Sequence, residues 1–268
     1  MSAPLRWPRC ASTGLPNYPT RKGTSLTVTR QDFEDAVAAY WDARENQNAL
    51  SAIRNKVGAG TAGSVRAGKH FASIAALVAK FFLEAGYPPT AIRISGAAAL
   101  ALPGYYRPQK RWDIVVTHGN TLIAAFELKA LGAPSFGNNY NNRVEEALGS
   151  AADIRRAALE DLYPGEKPWL GYFFIMEDAP RSRCIVKPDE GPFPAESIWH
   201  GRSYQDRFAI FCQRLMAEGL YDAICYITSS AADPVPREPV DSLDWRHFSA
   251  AINARIRYLS DLGLPEGD

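Results

Sequence analysis

The sequence predicts an α/β protein: a mixed β-sheet flanked by helices, with further helices at both ends. Three observations carry that expectation. Short runs rich in β-branched and aromatic residues alternate with longer segments of helical period. The stretch WDIVVTHGNTLIAAFELKA reads as two strands joined around His118-Gly119-Asn120. The 268 residues are 46% hydrophobic and 22% charged, which suits a chain with one large core. Expected bounds are an N-terminal arm over 1–30, a core domain with its N-terminal helices over 31–231, and a C-terminal helical extension over 232–268.

Each element follows from local pattern. Pro4, Pro8, Pro16 and Pro19 interrupt the first 30 residues, which show no helical or strand period. From Asp32 to Lys56, Phe33, Val37, Tyr40, Trp41, Leu50 and Ile53 recur at helical spacing, giving one long helix or two broken near Asn46. A second helix runs from His70 to Ala85 on the stripe Phe71, Ile74, Leu77, Val78, Phe81, Phe82, and Gly86 with Pro88-Pro89 stops it. A short strand at Ile92–Ser95 precedes a basic, aromatic loop, LPGYYRPQKR. After the hairpin, an Asn-rich loop leads to a helix over Arg143–Leu162. Strands at Trp169–Met176 and Ala223–Ile227 enclose a helix at Tyr204–Glu218, and a last helix covers Leu243–Leu262.

Composition excludes several function classes. No apolar run approaches the ~20 residues that span a bilayer, and the start MSAPLRWPRC has no apolar signal core, so a cytoplasmic protein is expected. Cys10, Cys184, Cys212 and Cys225 are scattered without a CxxC, as in a reducing compartment. His70, His118, His200 and His247 form no zinc pattern, and there is no GxSxG elbow. The segment from Gly63 to His70 matches GxxxxGK, but His70 stands where a magnesium-binding Ser or Thr belongs and no apolar strand precedes it, so a nucleotide loop is not expected. Residues 1–112 carry 15 Lys and Arg against 6 Asp and Glu, and the remainder 15 against 23, so a polyanion has one basic half to meet.

The hairpin carries the chemistry. Glu127 and Lys129, two apart on a strand, point to the same side. Asp113 joins them only in an even-sum register. A two-residue turn at Gly119-Asn120 sends Asp113 and Glu127 to opposite faces, whereas a three-residue connection pairs Asp113 with Ala125 and gathers all three. The even-numbered apolar set Trp112, Ile114, Val116, Leu122, Ala124, Phe126 and Leu128 favours that second register. Two carboxylates beside a lysine suit Mg²⁺, with the Leu128 carbonyl as a further oxygen. A solvated Glu–Lys pair on an amphipathic strand is the plain alternative. In the flanks, Tyr105, Tyr106, Arg107, Lys110 and Arg111 mix aromatics with cations, as a phosphate-holding surface or an ordinary Pro-bounded loop would. Asn138, Asn139, Asn141, Asn142 and Arg143 could read base edges, or Asn142 with Glu145 or Glu146 could cap the following helix.

In order, the blocks LPGYYRPQKRWDIVV, AAFELKALGAPSFGNNYNNRVEEALGSAADI, PWLGYFFIMEDAPRSR and YxxRF…LYDA resemble the XhoI-type Type II restriction endonucleases, within the PD-(D/E)xK nuclease superfamily; the likeness covers about Tyr40 to Ser229. The resemblance implies a restriction-endonuclease-like core and a homodimer that cuts duplex DNA at a short palindrome, usually CTCGAG, with Mg²⁺, leaving 5′-phosphate ends. It also implies a companion DNA methyltransferase. On that reading Asp113 and Glu127 hold the metal and Lys129 serves the attacking water. The rivals are a repair or recombination nuclease of the same superfamily and a DNA-binding protein without catalysis.

Overall fold

The computed structural model describes residues 28–56, 69–133 and 136–264. Most of the expected arm and the glycine-rich segment 58–68 lie outside these residues. Thr29 and Asp32 exchange side-chain and backbone hydrogen bonds (2.8 and 3.1 Å) that cap α1, Arg30–Lys56, a single helix instead of two. A 3-10 turn at Lys69–Phe71 leads into α2, Ala72–Glu84, which buries Ile74, Leu77, Val78, Phe81 and Phe82. Gly86, at φ +92°, takes the left-handed conformation that ends the helix.

The strands follow: β1, Ile92–Arg93; β2, Ala101–Pro103; β3, Gln109–Arg111; β4, Ile114–His118; and β5, Thr121–Leu131. The expected loop LPGYYRPQKR is in fact a two-stranded antiparallel ribbon, β2 on β3, with Leu102 opposite Lys110. Its Pro and Gly residues mask the strand pattern but sit at the ribbon's bend and end, where no ladder bond is lost. Helix α3, Phe136–Leu159, begins seven residues before the expected Arg143. Then come β6, Leu170–Glu177; α4, Pro180–Arg183; α5, Tyr204–Ala217, capped by a Ser203–Asp206 box; β7, Ala223–Ser229; and α6, Trp245–Asp261, capped by Asp244.

The main sheet runs β1-β4-β5-β6-β7, antiparallel from β1 to β5 and parallel from β5 to β7. It is buried on both sides. Helices α1, α2 and α6 cover one face, through Phe33, Tyr40, Phe82, Trp245 and Phe248 against Ile114, Phe126 and Phe173. Helices α3 and α5 cover the other, through Ala151, Ile154, Phe208 and Cys212 against Val115, Tyr172 and Phe174. This is the expected α/β class, a mixed sheet between helical layers. Among the described residues no helix is long and apolar enough to cross a membrane.

The β4–β5 hairpin differs from expectation in one detail. The turn has two residues, with His118 opposite Thr121 and Thr117 opposite Leu122. The register then shifts at Val116, which pairs with Ala124, so Ile123 is the extra residue of a bulge. Beyond it Val115, not Asp113, stands opposite Ala125, and Ile114 faces Phe126 in an even-sum pairing at the start of β4. A short turn plus a bulge therefore does the work assigned to a longer turn. The bulge also explains why Leu122 is buried on the α3–α5 side while Ala124, Phe126 and Leu128 face α1 and α2. Trp112, outside β4, departs from the even set as well and packs on the α3–α5 side.

Candidate active site

The end of β4 opens a gap in the ladder, and acidic and basic side chains fill it. Asp113, just before β4, donates its backbone N–H to the Phe126 carbonyl (3.1 Å), which holds it beside β5. Its Oδ2 accepts the Leu128 N–H at 2.7 Å, so a side-chain carboxylate occupies the place of the next ladder acceptor. Lys129, on the same side of β5 as Glu127, pairs with Glu127 Oε1 and lies 3.4 Å from Asp113 Oδ2. The structure thus brings Asp113, Glu127 and Lys129 together on the α3-facing side of the sheet. The Leu128 carbonyl faces the same gap, 3.5 Å from the Lys129 ammonium.

A second lysine completes the cluster. Lys110, on β3, pairs with the other oxygen of Glu127, donates to the Arg111 carbonyl at 3.0 Å, and lies 4.3 Å from the centre of the Trp112 ring. Burial and the Glu127 charge raise the pKa of Asp113. Glu127 is only 4% exposed, and burial alone would raise its pKa; Lys129 and Lys110 outweigh that and hold it below the usual carboxylate value. Burial would lower Lys129, but Glu127 and Asp113 outweigh it and raise that group. Two carboxylates and two ammoniums therefore share a cleft of about 500 Å³, whose far wall is Arg143, Glu145 and Glu146 of α3. Among the described residues no three His, Cys, Asp or Glu are close enough together to hold a metal ion by themselves, yet two carboxylates and a carbonyl are a sufficient oxygen set for a hard divalent cation that keeps several waters. The donors fit.

The flanking residues are placed less uniformly. Tyr106 is 72% exposed and Arg111 is exposed at the cleft. Arg107, expected among the phosphate contacts, donates Nε to Asp153 Oδ2 at 2.6 Å, while the Tyr105 and Tyr106 N–H groups donate to Oδ1, each at 2.8 Å. It clamps the ribbon to α3. Asn138, Asn139, Asn141 and Asn142 lie in the first turns of α3, not in a loop, so Asn142 is no helix cap. Asn141 and Asn142 are exposed; Asn139 lines a neighbouring pocket with Tyr40, Arg44 and His70; Arg143 pairs with Glu146. Sequence reasoning missed Lys110's place on Glu127 and the Asp153 clamp. Recognising β3 as a strand would have shown the first, because Lys110 then stands two residues before Trp112 on one side of a ribbon leading into Asp113.

Comparison with known proteins gives one consistent picture. The family profile described as Restriction endonuclease XhoI matches residues 51–236. The chain is 36% identical to the Type II restriction enzyme XhoI of Xanthomonas vasicola over 184 residues, 68% of this chain and 73% of that protein. It is 36% identical to the Type II restriction enzyme BstVI of Geobacillus stearothermophilus over 193 residues, 69% of this chain and 85% of the relative. The Type II restriction enzyme AbrI of Azospirillum brasilense is 37% identical over 162 residues, 59% of this chain and 72% of its own length. No solved structure matches the chain significantly.

Proposed function

Since the chain belongs to the XhoI family of Type II restriction endonucleases, we propose that it is a Mg²⁺-dependent enzyme that cuts both strands of duplex DNA at CTCGAG or a related palindrome, leaving 5′-phosphate ends. One observation carries the catalytic assignment: Asp113, Glu127 and Lys129 converge at the broken edge of the β4–β5 ladder, inside a cleft. Asp113, Glu127 and the Leu128 carbonyl would hold the ion. Bound there, Mg²⁺ supplies positive charge for the scissile phosphate and lowers the pKa of a coordinated water.

The chain's own groups do the rest. Lys129, whose pKa the two acids raise, would orient the attacking water and offset charge on phosphorus. In-line attack forms the bond from water oxygen to phosphorus and breaks the bond to O3′, which leaves the phosphate on the 5′ end. Lys110 and Arg111 line the approach for the backbone, with Tyr106 exposed on the same ribbon, and Asn138, Asn139, Asn141, Asn142 and Arg143 stand on the α3 turns as candidates for base reading. Arg107 lines the same cleft as a further candidate phosphate contact and also fixes the ribbon through Asp153. A palindromic target implies a homodimer, and a host carrying the site needs a companion DNA methyltransferase in the cytoplasm.

The test is a digest of several unrelated plasmids with Mg²⁺, followed by mapping of fragment ends. Discrete fragments with 5′-phosphates are expected, and Lys129→Ala should lose about 10²-fold to 10³-fold in cleavage rate while retaining DNA binding. Undiminished cutting by Lys129→Ala or Glu127→Gln would overturn the site; cutting only at junctions or lesions would overturn the restriction reading.

A further inference from the structure

One of the two cations that hold Glu127 in this structure comes from outside the Asp113–Glu127–Lys129 set. Lys110 and Lys129 each take one oxygen of the Glu127 carboxylate, so two positive charges balance the two carboxylates, Asp113 and Glu127. The quartet is neutral as it stands. A divalent ion entering beside both ammoniums meets like charge in a poorly solvated place, and Glu127 is 4% exposed. Withdrawal of one lysine would remove that repulsion and favour the ion.

The geometry identifies which one. Lys129 is held by both acids and rides on β5, the central strand of the sheet. Lys110 touches Glu127 alone among the acids and stands on the separate β2–β3 ribbon. Its neighbours Gln109 and Arg111 are exposed, and Arg111 lines the same cleft. Its ammonium rests against the Trp112 ring and the Arg111 carbonyl, so its remaining contacts are with its own ribbon and the residue that follows it, and its stem can rotate off Glu127 without disturbing the sheet.

Resting on the nuclease reading above, we infer that Lys110 is a positioning residue that links DNA to metal: it occupies Glu127 in the free protein and transfers its ammonium to a DNA phosphate when the duplex enters, releasing Glu127 for the ion. Linkage makes the effect mutual. DNA tightens the ion, and the ion tightens DNA.

Calcium, a hard divalent oxygen-seeking ion, gives a readout that needs no turnover. Ca²⁺ affinity is measured by titration calorimetry on the wild type, Lys110→Met and Lys110→Arg, each alone and with a duplex that the wild type cuts in Mg²⁺. The wild type should bind Ca²⁺ at least tenfold more tightly with DNA than without. Lys110→Met, which keeps an apolar stem over Trp112, should bind Ca²⁺ about tenfold more tightly than the wild type in the absence of DNA and gain little from it. Lys110→Arg, with its charge restored, should regain the DNA dependence. Equal Ca²⁺ affinity in wild type and Lys110→Met without DNA, or a wild type indifferent to DNA, would overturn the inference. Glu127→Gln separates it from the underlying reading: if that variant binds Ca²⁺ as the wild type does, Glu127 is no ligand and the metal-site assignment fails as well. Thermal melts of each variant confirm the folded state on which the titrations depend.

Discussion

His70 shows how one side chain near the cleft ties stability to pH. Its ring packs on Tyr40 and Phe71, with centroids 5.4 and 4.8 Å away, and its Nδ1 is buried without a hydrogen-bond partner. Burial first, and the Arg44 charge second, lower its pKa to about 4. An unfolded histidine titrates near 6.5, so the unfolded chain binds the proton more readily than the folded one. Stability from this group is complete above about pH 6.5 and is lost as pH falls toward about 4. With allowance for the ring's partial exposure, the loss should be roughly 1–2 kcal/mol. Urea melts at pH 7 and pH 4.5 check this: the wild type should lose that much more than His70→Gln over the interval. Parallel losses in both would mean the ring is not held neutral by its surroundings.

At the scale of elements, the ribbon β2–β3 brings Lys110 to the acids, and Asp153 keeps the ribbon in place. Its buried carboxylate accepts two backbone N–H groups and the Arg107 guanidinium. Asp153→Ala would strand those donors, at a cost of about 2–3 kcal/mol, and free the ribbon that carries Lys110. The expected result is a lower urea midpoint together with impaired cleavage; unchanged stability would show that water replaces the clamp. This arrangement was illegible in the sequence, because a ribbon bracketed by Pro103, Gly104 and Pro108 has too few residues to show a period of two, and nothing local links Arg107 to an acid 46 residues on. The hairpin was legible for the opposite reason. Glu127 and Lys129 lie on, and Asp113 directly precedes, strands long enough to display alternation, and burial of Ile114, Val116, Ala124, Phe126 and Leu128 on one face favours a register that also gathers the charges. The turn length was misjudged since a bulge conserves parity: one extra residue at Ile123 and one fewer in the turn leave the same faces aligned. The early start of α3 was hidden by Asn residues, which favour turns locally but are held helical where Phe136 and Tyr140 pack on Tyr204 and Phe208.

At the scale of the whole molecule, Asp113, Glu127, Lys129 and Lys110 of one chain meet on one hairpin and one ribbon, so the proposed cleavage groups all come from a single protomer. A protomer so equipped has one cleft, and one cleft faces one scissile phosphate. On the proposed reading, cutting both strands at a palindrome would take two copies related by a twofold axis, each acting on its own strand. This makes a prediction that distinguishes complete sites from sites shared between subunits. Wild-type and Lys129→Ala chains carrying different affinity tags are co-expressed, and the mixed dimer is purified through both tags. If every site is built from one chain, the mixed dimer should bind its target normally and nick one strand at close to the wild-type rate. Linearisation should follow only on the slow timescale of rebinding or of the impaired half, and gel analysis of supercoiled, nicked and linear plasmid reads the two steps separately. Loss of both steps in the mixed dimer would mean that the clefts do not work independently. A chain that stays monomeric in sedimentation with and without DNA, yet cuts both strands in one encounter, would refute the twofold arrangement altogether.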